Sequence, residues 1–346
     1  MDLLIFIVAL SILVLVHEWG HFIAARKTGV RVEEFGLGLP PRIIGKKIKD
    51  TIYSINWLPV GGFCKLYGED GDGKGGKAFN HKKPWQKLII VLGGVVMNMV
   101  LAIVLFTFVY SILGVPKRVD KVKIVGVAEN SPAEMVGLKE GDWISKIGDI
   151  EVKNQEILLE ELANYKGGIV PLTINNEKLV EVEVRENPPE GEGGMGTVIS
   201  DMEMVKVPWY RFYEGIVAGF EEAYYWGSVI FDGVFTMVGS LFHGRVPEDI
   251  AGPVGMYQAT TAINESQGIL AVVHFFAVVS VNLAVVNILP FPALDGGRII
   301  FVLYEMITRR RPNQRFESTV NSIGMLILLA LVVVITVSDI SRVLGG

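Results

Sequence analysis

The stretch LSILVLVHEWGHFIAARK, Leu10–Lys27, decides the fold. It lies in an apolar run, Leu3–Ala25, long enough to cross a hydrocarbon core, yet it carries His17, Glu18 and His21. An ionisable side chain near the middle of a span costs about 2.5–3.5 kcal/mol, so three of them need a polar purpose. In a helix, residues four apart project from one face about one turn apart, so both imidazoles of HEWGH can reach a single metal ion. H-E-x-x-H is a zinc pattern, and Glu18, next to the first ligand, suits a general base toward an attacking water.

The rest of the composition agrees with a membrane protein. Of 346 residues 50% are hydrophobic, and the mean hydropathy is +0.42, more apolar surface than a soluble domain of this length buries. Further spans are expected over Leu88–Val115, Gly268–Leu289 and from Ile323 to about Val337, which makes four. The first lacks a basic leader and a small-residue cleavage site, so it is expected to remain in the mature protein. The net charge of −5 hides an asymmetry: Arg26–Lys87 and Arg309–Arg315 are basic, whereas Pro116–Val207 is mainly acidic. The positive-inside rule then puts both basic loops in the cytoplasm, with both termini and the acidic segment outside. Lone Cys64 excludes an intramolecular disulfide and reads as a small apolar filler.

A catalytic zinc site needs a third ligand and an open position. His17 is about eight residues from the basic end of its helix, or ~12 Å, which puts the site in the cytoplasmic half of the membrane. The third span ends in NILPFPALDGGR, so Asp295 reaches a matching depth, whereas His274 falls near the outer end and reads as a packing histidine. Pro290, Pro292 and the pair Gly296–Gly297 predict unwound chain around Asp295. Such backbone is tolerated at membrane depth where it lines a wet cavity.

Between the second and third spans, KVKIVGV (Lys121–Val127) reads as a strand. SPAEMVGL is a capped helical turn, with Ser131 as cap, Pro132 at the first helical position, Glu134 completing a capping box and Gly137 ending it. Two short strands follow around Gly148–Asp149, then a helix over Gln155–Asn164 capped by Asn154, and KLVEVEVRE as an edge-like strand. Trp209–Phe242 is aromatic and apolar but contains Glu214, Glu221, Glu222 and Asp232, which predict a pair of amphipathic helices on the outer membrane surface, not a fifth span. On the cytoplasmic side, TIYSINWLPVGGFCKLYGE alternates like a hairpin turning at Pro59–Gly62, apolar enough to dip into the membrane. Its exposed edge, with Gly61, Gly62 and Phe63, is a candidate for holding an unwound peptide by backbone hydrogen bonds.

ENSPAEMVGLKEGDWISKIGDIEV resembles a PDZ domain. Together with HEWGH, LGGVVMN (Leu92–Asn98), AGPVGM (Ala251–Met256) and NILPFPALDG, it makes nearly the whole chain resemble the site-2 protease family, more narrowly the bacterial RseP/RasP-type zinc intramembrane proteases. The resemblance implies a Zn²⁺ cofactor with Asp295 as the third ligand, and Asn287 as a residue contacting substrate. It also implies cleavage of single-span membrane proteins such as anti-sigma factors already shortened by a site-1-type protease, or remnant signal peptides, in a bacterial inner membrane. The expected architecture is a polytopic α-helical membrane protein of four transmembrane helices with an inserted extracytoplasmic α/β PDZ-like domain and a membrane-associated β-hairpin. Its parts are residues 1–115 with the first two spans, the PDZ-like domain at 116–188, an amphipathic helical segment at 189–267, and 268–346 with the last two spans. Nothing in the charge pattern suggests nucleic acid as a partner; the lipid bilayer is one. The competing reading is a non-catalytic PDZ-bearing scaffold, from which Glu18 or a ligand would be expected to be missing. None is.

Overall fold

The computed structural model describes residues 1–69, 71, 73–189, 192–242 and 252–345. The chain forms two compact units, Met1–Tyr110 with Arg211–Gly346, and Ser111–Tyr210. The first opens with helix α1 (Asp2–Lys27), followed by strands β1 (Val32–Ile48) and β2 (Thr51–Leu66) and helix α2 (Pro84–Leu113). A Cβ added to Gly20 would lie 2.1 Å from the Gly93 carbonyl oxygen, so α1 and α2 meet backbone to backbone, as small residues allow between apolar helices. Ala24 and Ala25 of α1, Ile90 of α2, and Val30, Val32 and Leu66 close a buried cluster beside this crossing, which fixes the sheet against α1.

The strands correct the expected hairpin. The chain reverses at Lys49–Asp50, where Ile48 pairs with Thr51, and Pro59–Gly62 lies inside β2. The first part of β1 is sandwiched: Phe35 and Leu37 have Cys64 and Gly62 on one side, and Tyr53 and Ile55 on the other. The segments before and after Pro59–Gly62 therefore do not pair with each other; both pair with β1. Alternation over 51–66 revealed strand, but not that a third segment separates the two arms. Thr51 Oγ1 donates to the Val32 carbonyl (2.9 Å), and Asn56 Nδ2 to the Leu37 and Gly38 carbonyls (3.2 and 3.1 Å), locking that register from within. Ile43, Ile44, Trp57 and Leu58 are left exposed.

The second unit contains β3 (Val115–Val127), α3 (Pro132–Met135), β4 (Trp143–Ile147), β5 (Ile150–Glu151), α4 (Gln155–Asn164), β6 (Ile169–Ile174), β7 (Lys178–Glu183) and β8 (Thr197–Val205). The sheet order is β7-β6-β4-β3-β8, with β5 on β4. Ser131 Oγ accepts the Glu134 amide (3.2 Å) and Asn154 Oδ1 the Ile157 amide (2.8 Å), as capping residues at these positions should. Glu134 reaches back to the Asn130 amide, one residue before the cap (2.6 Å). Inward-facing Ile124, Ile144, Leu172 and Val182 form one core with Leu158 of α4. Strand β8 lies in the stretch expected to be helical. It pairs with β3 from Val115–Val205 to Val127–Thr197. Its period of two is masked because the inward residue is Asp201, buried near the Gln155 amide at the start of α4.

The first unit resumes with α5 (Tyr213–Phe242), α6 (Pro253–Gln267), α7 (Ile269–Ile288), α8 (Asp295–Thr308) and α9 (Gln314–Gly345). Where a helix pair was expected there is one continuous α5, since no proline interrupts it. Among the described residues four helices are long and apolar enough to cross a membrane: α1, α2, α7 and Gln314–Ser341 of α9. Phe6 and Leu13 of α1 pack on Val272 and Phe276 of α7. Ala251 lies outside the described residues; the rest of its motif starts α6, where the buried carboxylate of Asp339 on α9 accepts the Gly255 amide (2.8 Å).

Candidate functional site

His17 and His21 stand one helical turn apart on α1, their Nε2 atoms 3.2 Å from each other. The third group arrives from the far end of the chain. After α7 stops at Ile288, Pro290 and Pro292 keep the helix from continuing, the chain turns tightly, with the Leu294 amide donating to the Phe291 carbonyl (3.2 Å), Ala293 takes a left-handed conformation at φ 73°, and Asp295 opens α8. A Cβ on Gly296 would sit 1.9 Å from the Leu289 carbonyl oxygen, so only glycine permits this tight return. Asn321 of α9 accepts the Ala293 amide (3.3 Å) and holds the loop. The return brings Asp295 Oδ2 to 3.2 Å from His17 Nε2 and 3.3 Å from His21 Nε2.

One donor atom from each of the three residues lies within 4.8 Å of the others. Oδ2 of Asp295 is buried and lacks a hydrogen-bond partner. An orphaned carboxylate oxygen facing two imidazole nitrogens is stable where a cation is shared among them, and two histidines with one carboxylate form a zinc donor set that leaves a position open. These residues fit the ion.

The far sides of the two imidazole rings are also held. His21 Nδ1 is 2.8 Å from the Ile90 carbonyl of α2, and His17 Nδ1 is 3.2 Å from the side-chain amide of Asn98. Between these two positions, a Cβ on Gly94 would lie 2.5 Å from His17 Cε1 and 2.6 Å from His21 Nε2. The missing side chain is the space the rings occupy. Both residues lie in LGGVVMN, but only Asn98 carries a local signal, as a polar residue within a span.

The three residues line a cavity of about 630 Å³ with Glu18, Phe63, Cys64, Asn98 and Asn287, among others. Bare Gly62 faces Glu18: its Cβ would come 3.5 Å from Glu18 Cγ. Gly61, in a left-handed conformation at φ 87°, precedes it. Two ion pairs tie the surroundings together. Arg298 of α8 grips the half-buried Glu69 just beyond β2, and Lys87 of α2 meets Glu305 of α8 at 2.7 Å, a buried pair. Sequence reasoning missed both pairs, because neither partner is near the other in the chain.

His274 is elsewhere, beside Glu222 of α5 (3.4 Å) and edge-on to Phe106. Burial would raise the Glu222 carboxyl, but hydrogen bonds from His274, Tyr110 and Trp226 outweigh it and hold the carboxyl below its usual range.

Residues 5–331 match the family model described as Peptidase family M50. A protein of Clostridium perfringens named as a zinc metalloprotease is 34% identical over 334 residues, covering 96% of this chain and 97% of the relative. One of Clostridium acetobutylicum with the same kind of name is 32% identical, covering 98% and 97%. A third, of Campylobacter jejuni, is 29% identical over 98% and 93% of the two chains.

Proposed function

Since the chain belongs to peptidase family M50, the site-2 protease family of zinc metalloendopeptidases, we propose that it hydrolyses peptide bonds of single-span membrane proteins at the His17–His21–Asp295 centre, with Glu18 as the proton-transfer group. The observation that carries this reading is the convergence of two imidazoles and an unpartnered carboxylate from α1 and α8 beside a cavity that Glu18 also lines. Bound zinc supplies Lewis acidity, polarising the scissile carbonyl and lowering the pKa of water toward ~7. Glu18 takes the proton released as water adds and returns it to the leaving amine nitrogen. Asn287, at the cavity wall, contacts the peptide near the cut. The segment Gly61–Phe63 holds the unwound chain as an added strand, with bare Gly62 bringing its backbone close beside Glu18.

The substrates on this reading are anti-sigma factors first cut by a site-1-type protease, or remnant signal peptides, in a bacterial inner membrane. The termini and the inserted unit are extracytoplasmic, and the catalytic centre lies in the cytoplasmic half. The capped turn after β3, and α4 beside the sheet, support reading the inserted unit as PDZ-like. Incubation of the purified protein with single-span peptides, with and without a zinc chelator, tests the activity. Cleavage that stops on chelation and returns with Zn²⁺ is expected; intact peptides under all conditions would favour the scaffold reading.

A further inference from the structure

The two histidines differ in how their outer nitrogens are held. When Nε2 of a neutral imidazole binds a metal, the ring's one proton is on Nδ1, which must then donate. For His21 the acceptor is the Ile90 carbonyl (2.8 Å), a backbone oxygen that can only accept. For His17 it is the side chain of Asn98, which is fully buried and whose amide nitrogen lies 3.2 Å away. With that nitrogen donating, Nδ1 would have to accept, the ring proton would move to Nε2, and His17 could not serve as a ligand. The same orientation leaves Asn98 Oδ1 buried without a partner. Turning the amide by 180° resolves the tautomer conflict and gives Oδ1 a partner, because the oxygen then faces Nδ1–H and the NH2 group takes the place where Oδ1 stood. Oxygen and nitrogen of an amide occupy nearly the same shape, so the turn needs no repacking.

We propose that Asn98 is a positioning residue for His17: its Oδ1 accepts the Nδ1–H and fixes the tautomer that presents Nε2 to the metal. This rests on reading His17, His21 and Asp295 as the metal-binding set. Asn98 is itself anchored, since buried Ser280 of α7 donates to its backbone carbonyl (2.8 Å). The third and first spans are therefore connected through one residue of the second.

The test is zinc affinity of the full-length protein, measured at fixed neutral pH by competition with a chromophoric chelator. Asn98→Leu removes the acceptor and should weaken zinc binding by about 10–100-fold. Asn98→Asp keeps the shape and the acceptor while losing the donor, and should hold affinity within about threefold. Ser280→Ala loosens the Asn98 backbone but leaves the side-chain amide in place, and should cost clearly less affinity than Asn98→Leu. Undiminished zinc binding in Asn98→Leu would overturn the proposal. So would equal losses in Asn98→Leu and Asn98→Asp, or a loss in Ser280→Ala as large as in Asn98→Leu. His17→Ala in the same assay separates the two levels: if it leaves zinc binding intact, the metal-centre reading fails first.

Discussion

Glu18 and Asp295 are both carboxylates at one cavity, but removing them should have different consequences. Glu18→Gln is expected to abolish cleavage while zinc stays near one per chain by metal analysis; Asp295→Ala should lose both together. If zinc stays tightly bound in Asp295→Ala, another residue is the third ligand. Gly94 makes a different kind of contribution, by what it lacks. Gly94→Ala puts a methyl group 2.5 Å from His17 Cε1, and strain of about 1–3 kcal/mol from such overpacking should weaken zinc binding roughly 5- to 150-fold. A chelator titration checks it. HEWGH was legible because a charged triplet in an apolar helix has few explanations, and Asp295 because span depth could be counted. Gly94 gave no such signal, since its importance comes from rings on another helix.

The β1–β2 sheet is where local pattern and tertiary arrangement part. Alternation over Thr51–Leu66 correctly indicated extended chain, but strand partners are a long-range property, and the first part of β1 takes the place between the two arms. Proline at Phe63, Cys64 or Lys65 removes a backbone donor from the segment beside the cavity. It should slow cleavage of helical substrates about threefold to tenfold more than of substrates with helix-breaking residues at the cut site. Equal slowing of both would indicate misfolding. On α5, four acids argue against a fifth span, and among the described residues α5 is not one of the helices long and apolar enough to cross, while the inference of two helices failed for want of a breaker. Glu222 makes that helix sensitive to acid. Its carboxyl titrates below the ordinary glutamate value of about 4.3, so its stabilisation is full above that value and is lost as pH falls through the lowered one. Unfolding midpoints of the wild type and Glu222→Gln, followed from pH 6 to 3, should converge at the acid end.

For the molecule as a whole, the inserted unit is joined by both ends to the rest of the chain, and β8 pairing with β3 means that it must be removed from Val115 to Val205 if no unpaired strand is to remain. Replacing that stretch with a flexible linker should allow cleavage of substrates with intact ectodomains if the unit is a size filter, with short-stub substrates cut at a similar rate. If the unit instead binds stub ends, the same deletion slows short substrates and long ones stay resistant; both lengths measured in one reconstituted membrane decide. Spans, caps and the strand-rich insert could be read locally, whereas β8 and the ion pairs joining α8 to α2 and the Glu69 loop depend on chain far away in sequence. That separation also orders events in time. His17 and His21 leave the ribosome with α1, but Asp295 follows only after both remaining strands of the sheet, α2, the insert and α7 have been made. At about 5–20 residues per second the delay is on the order of tens of seconds. Throughout it the nascent protein has its paired histidines but no carboxylate to complete them. On the proposed ligand set, the protease is thus inert until its own synthesis is nearly finished, its metal centre waiting for Asp295.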